Sequence, residues 1–131
     1  MLFHTFATQE QRRKAGGGDF IEFQYCRCDD RTPLQKIISA DFVNHWQADS
    51  LYVHGDDWER FISDYGAFFT DGFYNNALQG PVDLCGINYY PPQQVRQIVQ
   101  RIKVQLPCDA AALLKWLEQA ADCNGIYILG L

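Results

Sequence analysis

The chain has 131 residues, 47% of them hydrophobic and 15% aromatic, which fits one folded domain burying roughly two thirds of its unfolded surface and excludes a disordered or fibrous chain. No apolar run approaches the ~20 residues needed to cross a bilayer. The net charge of −5 is uneven: Asp41 to Asp83 holds eight acids and the single base Arg60, while the rest of the chain has eight acids and ten bases.

Taken in chain order, QEQRRKAGGGD (9–19) is expected to be a flexible loop or frayed segment, because consecutive glycines disfavour helix and strand. DFIEFQYCRC (19–28) predicts a strand. Phe20, Glu22, Gln24 and Cys26 fall on one face; Ile21, Phe23, Tyr25 and Arg27 fall on the other. DDRTP then reads as a turn. LQKIISADFVNHW (34–46) fits either a helix, with Leu34, Ile37, Ile38 and Phe42 on one face, or an extended piece. LYV (51–53) predicts a short strand.

Residues 57–69 predict a helix. Trp58, Phe61, Ile62, Tyr65 and Phe68 or Phe69 recur at helical spacing, Asp56 is placed to cap the start, and Gly72 to stop the end. Asp57, Arg60 and Asp64 share the opposite face, with Glu59 at its margin. VDLCGINYY (82–90) predicts a strand, and Pro91 and Pro92 open a helix with Val95, Ile98, Val99 and Ile102 inward. A further helix from about Asp109 turns Leu113, Leu114, Leu117 and Ala121 inward. IYILGL predicts a buried strand. The sum is an α+β fold: three or four helices on a small mixed or antiparallel sheet in a single domain.

The motifs for chemistry are sparse. Cys26 and Cys28 form one short-spaced pair, where a structural zinc site shows two, and His4, His45 and His54 add no paired spacing; core packing explains the cysteines and no metal or cofactor is expected. An odd count of five cysteines without repeated spacing speaks against a secreted disulfide framework. The start, MLFHTFATQEQRRK, lacks a basic segment followed by an apolar core, so a cytoplasmic location is expected. There is no G-x-S-x-G, H-E-x-x-H or P-loop. An enzyme reading rests on Asp71, His54 and Cys85. Asp71, in TDGFYNN, also reads as a turn residue, and Cys85 as a buried thiol. The acidic middle disfavours direct nucleic-acid binding and suits a basic partner. Tyr74, Tyr89 and Tyr90 lie near Gly, Asn and Pro turns, where half-exposed tyrosines serve as interface anchors. Alternation puts Tyr89 and Tyr90 on opposite faces, one in the core and one available.

As a whole, DGFY (71–74), GINYY (86–90) and the L..WLE.A...NG.YILGL pattern (114–131) resemble a family of small bacterial immunity proteins. These are encoded beside polymorphic toxins and contact-dependent growth inhibition systems. The resemblance covers about residues 56–131; its motifs are turn, strand and helix elements rather than catalytic ones, and residues 1–50 carry none of them. It implies a non-enzymatic protein that binds and neutralises a cognate toxin domain in the cytoplasm. Toxins of such systems are often nucleases with basic clefts. A carboxylate-rich face can occupy such a cleft, which gives Asp56, Asp57, Glu59, Asp64 and Asp71 as the expected binding face, with Tyr74 or one of Tyr89 and Tyr90 as aromatic anchor. An acidic adaptor for another basic protein is the remaining alternative.

Overall fold

Six short strands make one antiparallel sheet, seen in a computed structural model that describes residues 1–16, 19–43, 46–74 and 77–130. They are β1 (Phe20–Tyr25), β2 (Leu51–His54), β3 (Gly72–Tyr74), β4 (Leu78–Gly80), β5 (Ile87–Tyr90) and β6 (Ile126–Leu129), in the order β2-β1-β6-β5-β3-β4. The apolar run IYIL thus becomes an inner strand. β6 pairs with β1 through Phe23↔Ile128 and with β5 through Tyr89↔Tyr127. Burial on both faces is what a continuous apolar strand needs, and Ile126 to Ile128 are all buried.

Five α-helices are present among the described residues: α1 (Gln9–Gly16), α2 (Leu34–Ile37), α3 (Trp58–Tyr65), α4 (Pro92–Gln105) and α5 (Ala110–Glu118). On one face of the sheet Ile21, Phe23, Tyr25, Val53, Tyr90, Ile126 and Ile128 meet Leu2 and Phe3, Phe61 and Tyr65 of α3, the apolar stripe of α4, and Leu113, Trp116 and Leu117 of α5. Edge-on ring contacts dominate there: Phe23 meets Phe61 at 5.7 Å and Trp116 at 5.9 Å, and Phe3 meets Tyr65 at 5.2 Å. The other face is covered more thinly. Cys26, Tyr89 and Tyr127 pack with Ile37 of α2, and Phe6 and Trp46 lie against Tyr52. The fold is therefore α+β, with both faces of the sheet sheltered.

Several expectations are corrected. The segment expected to be a loop near 14–18 is helical to Gly16, supported by Gln11 N donating to Thr8 Oγ1 and by a Lys14–Glu10 pair; Gly17 and Gly18 lie outside the described residues. Among the described residues of the ambiguous 34–46 stretch, only Leu34–Ile37 is helix. Asp56 does not cap α3: a 3₁₀ turn over Gly55–Asp57 precedes the helix, and Asp57 holds the N-cap position without a side-chain hydrogen bond. Trp58 is 44% exposed, so the buried stripe begins at Phe61. Gly72 opens β3 instead of ending the helix. A Cβ there would sit 2.6 Å from the Tyr90 ring. Three of the four DGFY residues are thus strand, paired antiparallel with β4; Asn75 and Asn76 lie outside the described residues. The strand expected over 82–90 shortens to 87–90, because Asp83 and Asn88 exchange backbone–side-chain bonds that turn the chain. A 3₁₀ turn over Gln119–Asp122 changes the helical phase, so Ala120 is buried and Ala121 exposed. Gly125, at φ +88, lets the chain pass the Tyr90 carbonyl into β6; an added Cβ would lie 2.1 Å from that oxygen.

Candidate functional site

The acids nominated by the sequence differ in exposure and in pairing. Asp56 and Glu59 are exposed and Asp57 partly so, together with Trp58, on the turn that leads into α3 and on its first residues. No ion pair reaches Asp56, Asp57 or Glu59 among the described residues. Asp64 stands apart from them, because Arg60 is 3.8 Å from its carboxylate and 3.2 Å from that of Asp109. Asp109 also accepts the Leu2 amide at 2.8 Å. The one base of the acidic segment therefore clamps α3 to the start of α5 and the N-terminal residues, and leaves the first turn of α3 uncompensated.

Asp71 is at the far end of this segment, in the approach to β3. One of its carboxylate oxygens is buried without a hydrogen-bond partner among the described residues, and its charge adds to burial in raising the Tyr90 hydroxyl pKa well above the ordinary value. Tyr74 is partly exposed and lines an open cavity of about 700 Å³ with Asp83, Cys85, Ile87, Gln35 and Ile38. Neither Tyr89 nor Tyr90 is available as an anchor, which corrects the expectation that one would be. Tyr90 is fully buried in the helix-side core. Tyr89 is buried on the other face and donates to Asn124 O at 2.6 Å. The two faces of the sheet are both covered, so alternation sends each tyrosine into a core.

The aromatic that does stand free was assigned to the core by helical spacing. Trp58 falls on the i, i−3 position of Phe61, but it starts the helix and no ring contact to it is present among the described residues. Its charged neighbours Asp56, Asp57 and Glu59 were the available clue to an exposed position.

The residues of the enzyme reading are also dispersed. His54 ends β2, whereas Cys85 precedes β5, three strand spacings away in the sheet order, roughly 14 Å. Asp71 lies beside the Tyr90 end of β5, opposite the end that Cys85 enters. His54 is enclosed instead in an aromatic group with His4 and Phe20, at ring distances of 4.9 and 4.7 Å. Cys85 is exposed, which corrects the expectation of a buried thiol. Among the described residues no group of three or more His, Cys, Asp or Glu side chains is placed to hold a metal; His45 lies outside them.

A second polar cluster was not foreseen. Glu22 and Gln24, on the strand face shared with Phe20 and Cys26, are buried beneath α1 and the 46–50 segment. Glu22 accepts from Gln24 Nε2 at 2.7 Å and from Ser50 Oγ at 2.8 Å, with Arg12 3.8 Å away. Arg12 in turn lies over the Trp46 and Tyr52 rings. In sequence this strand face looks half solvated; in the fold it is closed over, and its carboxylate serves the packing of α1 on the sheet.

Among the described residues no helix is long and apolar enough to cross a membrane. No family model, curated protein or solved structure matches the chain.

Proposed function

We propose that the chain is an immunity protein that binds and neutralises a cognate toxin domain in the cytoplasm, without catalysis of its own. One observation carries the reading: an exposed indole, Trp58, set among the carboxylates of Asp56, Asp57 and Glu59 at the start of α3, none of which forms a salt bridge among the described residues. An aromatic within a charged surround is the common composition of an interface hot spot. The surrounding negative field speeds encounter with a basic surface and competes with a phosphate backbone for it. The motifs at 71–74, 86–90 and 114–131 support the same reading by resemblance. A nuclease domain with a basic cleft is the partner this chemistry suits best.

The reading predicts a toxin gene directly upstream; the test is co-expression with the C-terminal domain of that gene product, followed by binding kinetics on the purified pair. The parent chain should protect the cell and bind at one-to-one stoichiometry. Asp57→Lys with Glu59→Lys should slow association about tenfold or more at low salt, with the difference fading as salt rises. Trp58→Ala should raise the dissociation rate at least tenfold. Absence of protection by the parent chain would overturn the reading; protection with unchanged kinetics in both variants would move the interface elsewhere.

A further inference from the structure

Cys26 and Cys28 leave β1 with their sulfurs 3.2 Å apart, in a thiol–thiol hydrogen bond. Their surroundings hold them there. Cys26 N donates to Gly125 O at 3.0 Å and Asn124 N donates to Cys26 O at 2.8 Å, so the chain at Cys26 is pinned to the 124–125 turn. The Asn124 side-chain amide donates to Cys28 Sγ at 3.4 Å and to Asp29 O at 3.3 Å. A cavity of about 220 Å³, lined by Tyr25, Cys26, Arg27, Cys28, Phe42 and Tyr127, opens beside the pair. Cys26 is buried and Cys28 partly exposed.

We propose that Cys26 and Cys28 are a reversible redox pair, closing to an intrachain disulfide with a low-molecular-weight disulfide of the glutathione class as oxidant. Closure asks the sulfurs to approach by about 1.2 Å, to the ~2.05 Å of an S–S bond. The order of events follows from access. Cys28 is partly exposed and lines the cavity, so the oxidant meets it first. Burial holds the Cys26 thiol up at about 11, so it stays protonated and enters second.

Cys28 thiolate attacks one sulfur of the oxidant; its S–S bond breaks and one small thiolate leaves. Cys26 sulfur then attacks Cys28 sulfur in the mixed disulfide. The second small thiolate departs and takes up the Cys26 proton. Two electrons pass from the protein sulfurs to the oxidant, and two protein thiols and one small disulfide become one protein disulfide and two small thiols. A ring closed over three residues recovers little chain entropy. The bond is therefore exchangeable and not a structural staple.

The full chain is incubated with oxidised glutathione, alkylated after unfolding, and mapped by peptide mass. Two of the five cysteines, Cys26 and Cys28, should lose alkylation together, in a peptide lighter by two hydrogens, and regain it after reduced glutathione. Cys28→Ser should leave Cys26 fully alkylated, and Cys26→Ser should trap a glutathione adduct on Cys28. The exposed Cys85 and Cys108 report that the oxidant was competent. A parent chain that keeps a stable adduct on Cys28, or stays alkylated at both positions while Cys85 and Cys108 react, overturns the proposal. The peptide map of the parent chain decides this even if a serine variant fails to fold.

Discussion

Glu22 shows how a single side chain ties an outer helix to the sheet. It is almost wholly buried, and three groups from three segments turn toward it: Gln24, Ser50 and Arg12. A buried carboxylate is tolerated only when its oxygens are used. Removing it would take the acceptor from Ser50 and leave the Arg12 charge over the Trp46 and Tyr52 rings. Glu22→Ala should therefore cost about 2–4 kcal/mol by urea denaturation, and Arg12→Ala measured on the Glu22→Ala background should cost less than on the parent chain. Additive losses would mean that the two do not act as a pair. His4 gives a second residue-scale consequence. Burial, and then the neighbouring charge of His54, lower its pKa, while Asp57 and Asp109 act in the opposite sense. The folded chain thus takes up this proton less readily than the unfolded chain. Its stability contribution is present above the unfolded value of about 6.5 and is lost as pH falls through the folded value. The urea midpoint should fall between about pH 7.5 and 5.5, and His4→Phe, which keeps a ring against Phe6 and His54, should flatten that slope. An unchanged slope would assign the pH dependence to other groups.

Helix α3 separates what spacing can and cannot reveal. The positions of Phe61 and Tyr65 are legible because both recur on one side of a 3.6-residue period and both face the core, Phe61 against Phe23 of the sheet and Tyr65 against Phe3. Trp58 obeys the same period and yet is exposed. Periodicity names a direction, and only the helix's start relative to its neighbours decides whether that direction holds protein or water. The candidate site was hidden by this ambiguity; its carboxylates were visible in the sequence, but its aromatic was assigned inward. Arg60 shows the same limit for charge, since its pairing with Asp109 joins residues far apart in the chain. The β3–β4 hairpin was missed for a different reason. Its strands have three residues each, and Leu78 and Gln79 are both exposed, so no alternation marks them. Phe61 and Trp58 of α3 can be told apart by stability. Phe61→Ala should cost about 3–5 kcal/mol, as expected for an emptied core site, whereas Trp58→Ala should cost under about 1 kcal/mol. Comparable losses by urea denaturation would place Trp58 in the core and remove the exposed anchor from the binding face.

For the whole molecule, the sheet order concentrates stability along its middle. β1, β6 and β5 are each paired on both sides, and among the strands they supply most of the buried core residues. β2 and β4 are edges. They differ, however, because β2 is backed by Tyr52 and Val53 and extended by the His4–Tyr52 bridge, whereas β4 is mostly exposed. Local opening should follow this gradient, since an edge with few buried contacts opens without disturbing the core. Native-state hydrogen exchange should therefore show the amides of β1 and β6 opening only with global unfolding and those of the β3–β4 hairpin opening at much lower free energy, with β2 between. The energetic partner of that pattern is Ile128. It is fully buried between Phe23 and Asn88 on the neighbouring strands, so Ile128→Ala should cost about 2–5 kcal/mol and lower the protection of β1, β5 and β6 together. Leu78→Ala, on the exposed edge, should stay within about 0.5 kcal/mol and leave those strands untouched. Equal protection of β4 and β6 would mean that the hairpin is held by something other than its contacts in the sheet. Loss confined to β6 after Ile128→Ala would mean that the sheet opens strand by strand and not as one unit.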